Sequence, residues 1–366
     1  MDTISAVVET KAASNEPEKN MERILWLDSV KGIGILLVVI GHCLIDANTL
    51  RNWIYSFHVP LFFLISGFLT ASRNDDTQIP SRAECCQYAK NKLRAYIYPY
   101  ITFSGISLVW YIFFYIFLGY TPSESLPIVV LKMVTTYGHN ACWFLPALFW
   151  TCVISFFTRR TGHNRPLVIA IMAILGCTAA TLVYNLPIFL DKQCYALRYV
   201  FRILIAVSFD YIGELVYRWL KYCSVKAERI LLLICAVISI GLFPLNQDVS
   251  LFAIRIHNCF LFYSLALAGS MFIILLCKNT FLGKSRLLVF LGRNSLIIMA
   301  LHMEFPKEMG WIFVGATKLT TILSTSYASI CVGIIASTVS ALCAVWISRH
   351  CTFLVRCPQK MSKKNN

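Results

Sequence analysis

The sequence predicts an all-α fold, a polytopic bundle of about ten transmembrane helices. Of the 366 residues, 58% are hydrophobic and only 14% are charged, which is a smaller charged fraction than soluble domains carry. Apolar runs long enough to cross a bilayer recur along the whole chain. The basic residues lie in short segments between these runs, as is typical of membrane proteins.

The first four predicted spans occupy residues 25–46, 53–71, 96–118 and 142–158. The first opens on an acid and a base and then runs through "GIGILLVVIG" to a histidine. The second, "WIYSFHVPLFFLISGFLTA", carries a histidine and a proline, and we interpret its Ser66 and Gly67 as helix-packing residues. The third is rich in aromatic residues and follows the basic stretch "KNKLR". The fourth is short, and we interpret the preceding stretch 125–138 as a re-entrant or interfacial helix.

The remaining six predicted spans occupy residues 167–185, 199–217, 230–246, 259–277, 287–304 and 323–347. The fifth, seventh, eighth and tenth are apolar runs without a charged residue. The sixth carries several ionisable residues on one face, and the ninth carries an arginine near its start and a histidine near its end. These two spans therefore predict polar surfaces inside the bundle.

The basic residues predict the orientation. With the N-terminus in the cytoplasm, 25 of them fall in segments on the cytoplasmic side and 7 on the opposite side. The positive-inside rule therefore places both termini in the cytoplasm, in an inner or plasma membrane. Because topology accounts for the net charge of +15, we expect a lipid bilayer and no nucleic acid as partner.

We divide the chain into a flexible polar segment (1–22) without a signal peptide, one transmembrane domain (23–348) and a basic tail (349–366). The fifteen cysteines lie mostly in apolar runs and include no CxxC pair. They are expected to be small buried side chains, not a disulfide framework. The chain has no Walker loop and no GxGxxG, HExxH or GxSxG motif, and we expect no bound metal.

Two depth layers follow from this orientation. The inner layer contains Asp28, Lys31, Lys92, Arg94, Arg293 and Asn294, and the outer layer contains His42, His58, Trp143 and His302. Ionisable groups within a membrane are costly and tend to line cavities, which favours a functional role for the histidines. The inner basic residues, taken singly, are also ordinary topology signals, and Trp143 is equally consistent with an interfacial aromatic belt.

The sixth span carries a polar stripe. Arg202, Asp210, Glu214 and Arg218 recur at multiples of four residues, so they share a helix face that must point into the bundle. We interpret Glu214 and Arg218 as an internal ion pair. Two roles stay open for Arg202: membership of the same ion-pair ladder or, together with Arg198, contact with a polar acceptor.

Five segments resemble one family. "WLDSVKGIGILLVVIGH" followed by "YSFHVPLFFLISGFL" resembles the start of the acyltransferase-3 family of integral membrane proteins, and is closest to the branch of fucose 4-O-acetylase-like acetyltransferases. "KLRAYIYPYITF", "CWFLPALFW" and "LGRNSLIIMALH" resemble later blocks in the expected order. Rhizobial Nod-factor acetyltransferases look like relatives of similar size.

This resemblance implies about ten spans and transfer of an acyl group, usually acetyl from acetyl-CoA, to a carbohydrate hydroxyl. The family has a basic residue followed, after ten residues, by a histidine, and here that pair is Lys31 and His42. Many members have arginine at the position of Lys31. The acceptor is expected to be a carbohydrate or a lipid-linked oligosaccharide, and acetyl-CoA a cosubstrate, with no permanently bound cofactor.

The family and the depth layers together suggest a mechanism. Cations of the inner layer would hold the CoA phosphates; these are Lys31, Lys92, Arg94 and Arg293. His42 would act as general base, with His58 assisting by proton relay, orientation or oxyanion stabilisation. A route through an acyl-histidine stays open. Asp28 would either orient Lys31 or cap the helix. The alternative from another class is a transporter of a polar or acidic solute, supported by the intramembrane histidines and the polar stripe.

Overall fold

The computed structural model describes residues 24–44, 49–73, 81–117, 124–161, 195–304 and 325–355, with scattered residues in 167–181 and 306–313. Helices dominate these residues, and no β-strand occurs among them. The all-α prediction is therefore confirmed. Most of the predicted fifth span, 167–185, lies outside the described residues.

The helices are α1 (Leu25–Cys43), α2 (Thr49–Tyr55), α3 (His58–Arg73), α4 (Arg82–Lys92), α5 (Tyr98–Phe117), α6 (Leu126–Val134), α7 (Phe144–Thr161), α8 (Tyr195–Tyr222), α9 (Val225–Leu242), α10 (Cys259–Asn279), α11 (Arg286–Arg293), α12 (Ser295–Leu301) and α13 (Thr325–His350). A π-helical turn joins α4 to α5, and 3₁₀ turns precede α7 and α11.

Six helical segments among the described residues are long and apolar enough to cross a membrane. They are Leu25–Cys43, Thr49–Arg73, Asn140–Thr158, Val225–Leu245, Cys259–Asn279 and Tyr327–His350. They coincide with the first, second, fourth, seventh, eighth and tenth predicted spans. The third and sixth predicted spans are helical as well, as α5 and α8, and the stretch 125–138 contains the nine-residue helix α6.

The ninth predicted span, 287–304, is not one continuous helix. Two short helices, α11 and α12, meet at Asn294, whose backbone leaves the helical region at φ −102° and ψ 8°. The Asn294 side-chain amide donates to the carbonyl of Phe290 at 2.9 Å. Asparagine side chains compete in this way for backbone groups, which disfavours a continuous helix.

Helix α1 occupies a central position, because it packs against α3, α10, α11, α12 and α13. Its approach to α11 depends on two glycines. A Cβ added at Gly32 would overlap the carbonyl of Leu288, and one at Gly292 would overlap the carbonyl of Asp28. Small residues at such crossings let backbones touch, as is common in membrane helix pairs.

Helices α3 and α8 cross in the same manner. A Cβ at Gly67 would overlap the carbonyl of Asp210, and one at Gly213 would overlap the carbonyl of Leu64. The interpretation of Gly67 as a packing residue is therefore confirmed. This crossing places the polar stripe of α8 inside the bundle, where Arg202, Asp210 and Glu214 are all buried.

We predict that Gly67→Ala destabilises the protein by ~1–3 kcal/mol, because the added methyl group forces two backbones apart. Gly241→Ala is the matched control, since nothing lies within 4 Å of a Cβ at that helical position. The control should be neutral or slightly stabilising, as alanine is the better helix former. Melting temperatures of the detergent-purified variants measure the effect, and equal values for both variants would contradict the tight crossing.

Candidate functional site

Two cavities meet at His42. The first, here called the apolar cavity, has a volume of about 310 Å³ and follows one face of α1 from Lys31 through Val38 to His42. The eleven residues between its two ends correspond to roughly 16 Å along a helix. The second, here called the polar cavity, has a volume of about 670 Å³ and starts at His42. Its other lining residues include Arg51, Trp110, Tyr111, Glu124, Lys132, His139, Asn140, Arg255, Glu304 and Lys307.

One end of the apolar cavity is basic. Lys31 Nζ lies 3.4 Å from one carboxylate oxygen of Asp28, and Arg293 Nε lies 3.4 Å from the other. Asp28 is buried, whereas Arg293 is about half exposed. The close approach of α1 and α11 at Gly32 and Gly292 brings these three charges together. An anionic group at this end would meet two cations held by one shared carboxylate.

Of the two roles open for Asp28, helix capping is wrong. Helix α1 begins at Leu25, so its N-cap is Ile24, and Asp28 lies in the first turn. Its carboxylate instead accepts from both neighbouring cations. Asp28 therefore orients Lys31, as the other prediction had it, and Arg293 as well.

The structure does not bring the other two predicted cations to this cavity. Lys92 Nζ lies 5.2 Å from the ring centre of Tyr88 and 5.5 Å from that of Tyr96. Arg94 is exposed on the π-helical turn before α5. Tyr96 lines the apolar cavity, but neither Lys92 nor Arg94 does.

The tautomer of His42 follows from its hydrogen bonds. His42 Nδ1 lies 2.7 Å from His302 Nε2, and His302 Nδ1 lies 2.8 Å from the carbonyl oxygen of Met299. A carbonyl oxygen can only accept, so the proton of the neutral His302 ring is on Nδ1 and its Nε2 is an acceptor. His42 must then donate from Nδ1. The unprotonated nitrogen of His42 is therefore Nε2.

His302, not His58, is the hydrogen-bond partner of His42, whereas an assisting role for His58 stays a prediction. The rings of His42 and His58 are 6.3 Å apart, and His58 Nδ1 lies 2.9 Å from the Ile54 carbonyl. His58 lines the apolar cavity but not the polar cavity, whereas the fully buried His302 lines neither. The sequence did indicate that His302 lies near His42, because both belong to the predicted outer layer.

Trp143 lies between the two cavities, and the Arg202 side chain packs behind it. Trp143 is buried and lines both, so it does not belong to an aromatic belt. The Arg202 guanidinium lies 4.3–4.8 Å from the ring centres of Tyr137, Trp143 and Phe252. It also donates to the carbonyls of Tyr137 and Phe252, at 3.2 and 2.8 Å. Arg202 is fully buried and lines neither cavity, so its observed contacts are structural.

The predicted ion pair between Glu214 and Arg218 is present, but it is not internal as predicted, because the Arg218 side chain is half exposed. Arg218 donates to the Glu214 carboxylate at 2.8 Å. Arg202 lies twelve residues before Glu214 in α8, and it donates to backbone carbonyls instead of carboxylates. The stripe of α8 therefore divides into an ion pair at one end and a cation enclosed by aromatic rings at the other.

The polar cavity is also lined by Glu124, Asn140 and Glu304, which the sequence did not predict as site residues. Glu304 is buried, and one of its carboxylate oxygens accepts from Ser107 at 2.7 Å and from Asn140 at 2.8 Å. Glu124 pairs with Lys132. The available signals were an acid at the end of an apolar span and an asparagine directly before "ACWFLP".

The loop carrying Asn140 is conformationally unusual. Thr136, Gly138 and Asn140 have φ values of 58°, 85° and 48°. Residues other than glycine seldom adopt such positive φ values. A Cβ at Gly138 would also overlap the backbone of Trp143. Burial lowers the pKa of His139 on the same loop, although Glu124 opposes the shift. This ring is therefore neutral at pH 7.

The sequence matches a known protein family over most of its length. The family described as "Acyltransferase domain" covers residues 24–349. The chain belongs to this acyltransferase-3 family. It is therefore a multi-pass membrane protein, and the family membership favours the enzyme over the transporter alternative.

One curated relative matches a small part of this chain. "Nodulation protein NolL" of Sinorhizobium fredii (strain NBRC 101917 / NGR234) is 48% identical over 59 residues, which cover 13% of this chain and 16% of the relative. The matched region is thus about a sixth of the relative's length. No solved structure matches the chain.

We predict that Arg202→Met lowers the melting temperature of the protein. The substitution leaves the buried Tyr137 carbonyl and the partly buried Phe252 carbonyl without their donor, at ~1–3 kcal/mol for a fully buried group. Arg255→Met is the control, because it removes an ion pair whose side chains are both about half exposed and should cost at most about 1 kcal/mol. Equal melting temperatures for the two variants would contradict this structural role of Arg202.

Proposed function

We propose that this protein transfers an acetyl group from acetyl-CoA to a carbohydrate hydroxyl, with His42 as general base. The observation that carries the proposal is the position of His42 at the junction of the two cavities, with Nδ1 engaged by His302 and Nε2 unprotonated. A base needs a lone pair within reach of the proton it removes.

The apolar cavity suits the acyl donor. Lys31 and Arg293 would bind CoA phosphates at its basic end, in competition with Asp28. The pantetheine arm would then extend along α1 over roughly 16 Å and bring the thioester to His42. In the predicted orientation the basic end faces the cytoplasm, where acetyl-CoA is made.

The polar cavity suits a carbohydrate acceptor. Trp110 and Tyr111 offer aromatic surfaces for the apolar faces of sugar rings, while Arg51, Asn140 and Glu304 offer hydrogen-bonding groups. The acceptor would therefore reach His42 from the side opposite to the donor.

The proposed reaction is a direct transfer. His42 Nε2 takes the proton of the acceptor hydroxyl as its oxygen attacks the thioester carbon, and the carbon–sulfur bond then breaks. The departing CoA thiolate takes the proton from His42, so the ring returns to its starting state. While His42 is protonated, its Nδ1–H still donates to His302, which stabilises the cation as the third residue of a catalytic triad does.

The first activity test removes the proposed base. His42→Ala should reach the membrane at normal abundance and bind acetyl-CoA, but transfer acetyl about 10²–10⁴-fold more slowly. His42→Gln should not restore activity, because an amide cannot take the proton. His350→Gln, an exposed position at the end of α13, is the matched control. The measurement is transfer of radiolabelled acetyl from acetyl-CoA to a panel of oligosaccharides, beginning with fucosylated ones.

If His42→Gln kept more than about a tenth of the wild-type rate, proton removal by this ring could not be the main catalytic contribution. His58 would then become the better candidate. Acetyl groups trapped on His42 in the absence of acceptor would favour the acyl-histidine route over direct transfer.

The second test concerns His302 as a positioning residue. His302→Ala should lower kcat by roughly 10²-fold or more, because His42 is then free to adopt the wrong tautomer. His302→Gln should retain more activity, since its amide oxygen can accept from His42 while its amide nitrogen donates to Met299. KM for acetyl-CoA should not change, because His302 lines neither cavity.

A double variant separates this role from a general loss of folding. His42→Ala combined with His302→Ala should be no slower than His42→Ala alone, because residues that act as one unit are not additive. Equal activity of the glutamine and alanine variants at position 302, or additive losses, would contradict the positioning role.

A further inference from the structure

The polar cavity carries an excess of positive charge. Among the described residues that line it, four are basic and two are acidic; they are Arg51, Lys132, Arg255 and Lys307, and Glu124 and Glu304. A neutral sugar needs aromatic surfaces and hydrogen-bonding groups around it, but no net charge. Cations that line a cavity instead favour an anionic ligand. The charge balance of the polar cavity therefore bears on the kind of acceptor that it binds.

Two of these charges cancel, whereas another has no partner. Glu124 pairs with Lys132, and Glu304 accepts from the two neutral side chains described above. The Lys307 ammonium forms no ion pair with any residue that the structure describes, although Glu304 lies only three positions before it in the sequence. Lys307 therefore presents a positive charge to the cavity that no described acid neutralises.

Two of the cations lie close to His42. The backbone N–H of Lys307 donates to the carbonyl of His302 at 3.2 Å, and His302 is the residue bonded to His42. The Arg51 guanidinium lies 4.2 Å from the ring centre of Tyr55, and that ring centre lies 6.0 Å from the ring centre of His42. Each cation is thus separated by one residue from the ring that is proposed to take the proton of the acceptor.

The proposed transfer adds a further positive charge at this place, because His42 becomes an imidazolium when it takes the proton. Like charges repel, and the repulsion is stronger inside a protein than in water. An anionic group on the acceptor would offset this repulsion while the transfer takes place. The same group would be attracted into the cavity before the reaction begins.

We propose that the acceptor is an acidic carbohydrate, whose carboxylate or sulfate group is bound by Lys307 together with Arg51. This inference rests on the proposed function, and it narrows the acceptor from any carbohydrate to an anionic one. The phosphates of CoA are the other anions available to these cations. The proposed function places those phosphates at the basic end of the apolar cavity, which neither Lys307 nor Arg51 lines.

The experiment measures binding to the full-length protein in nanodiscs of phosphatidylcholine, a lipid without net charge. One pair of probes is trigalacturonic acid and its methyl ester, which have the same hydroxyl groups and differ in charge. The second pair is 6′-sulfolactose and lactose. Microscale thermophoresis should show that the acidic member of at least one pair binds about tenfold more tightly than its neutral counterpart. The pair that shows this preference identifies the anionic group.

Lys307→Gln should weaken binding of the acidic probe about tenfold and leave binding of its neutral counterpart unchanged. Lys307→Arg should keep the preference, because the charge is retained. Lys226→Gln is the matched control, since Lys226 is exposed near the start of α9 and lines neither cavity. Unchanged binding of the neutral probe also shows that each variant is folded.

A reversal of charge separates recognition by Lys307 from a structural role. Lys307→Glu should bind the cationic aminoethyl amide of trigalacturonic acid more tightly than the acid itself if the carboxylate pair shows the preference. If the sulfated pair shows it, Lys307→Glu should bind 6′-aminolactose more tightly than 6′-sulfolactose. A structural role for Lys307 predicts no such reversal.

Equal binding of acidic and neutral probes would overturn the inference, as would the absence of binding by either acidic probe. A preference that Lys307→Gln leaves intact would do the same. Acetyl-CoA should bind Lys307→Gln as tightly as it binds the wild-type protein. A loss of acetyl-CoA affinity in this variant would assign the cation to the donor and would also overturn the inference.

Binding requires no catalysis, so the two proposals can fail separately. If the acidic probes bind with the expected preference but the wild-type protein transfers no acetyl from acetyl-CoA, the proposed function fails and the anion site stands. If acetyl reaches a neutral sugar and its acidic counterpart at the same rate while binding shows no preference, the inference of an acidic acceptor alone fails.

Discussion

A neutral imidazole has one N–H and one lone pair, so either ring nitrogen of His42 could carry the proton and the other would then be the base. The hydrogen bond to His302 removes that choice. Because His302 is fixed by the Met299 carbonyl, it accepts from His42 Nδ1 and leaves Nε2 as the basic atom. His302 is buried and lines neither cavity, so a substrate in either cavity would not contact it.

The fold supports this bond through α1 and the broken segment beside it. Gly32 and Gly292 allow backbone contact between α1 and α11, which brings Arg293 to Asp28. After the break at Asn294, α12 carries His302 to the level of His42. The same pair of segments therefore builds both ends of the apolar cavity. A single continuous helix would have fixed the relative rotation of Arg293 and His302 about one axis.

The sequence could predict which residues share a level along the helices, but it could not predict rotation about the helix axes. The positive-inside rule and the rise per residue grouped His42 with His302, and Lys31 with Arg293, and the structure brings the members of each pair together. Which members of a layer touch depends on packing between helices far apart in sequence. For that reason the sequence did not indicate that His302 is the residue bonded to His42, and Lys92 and Arg94 were grouped with cations that they do not join. Arg202 is held by hydrogen bonds to the backbone carbonyls of Tyr137 and Phe252. No residue pattern in the sequence indicates such bonds to backbone groups.

The central claim is that His42 receives donor and acceptor from opposite sides of the membrane. It can be measured in proteoliposomes that hold the protein in both orientations, since acetyl-CoA does not cross lipid. With acetyl-CoA sealed inside and a water-soluble oligosaccharide acceptor added outside, acetyl should reach the acceptor. With both added outside only, no orientation of the protein can use them, and transfer should be absent. Full transfer with both substrates on the same side would contradict the account.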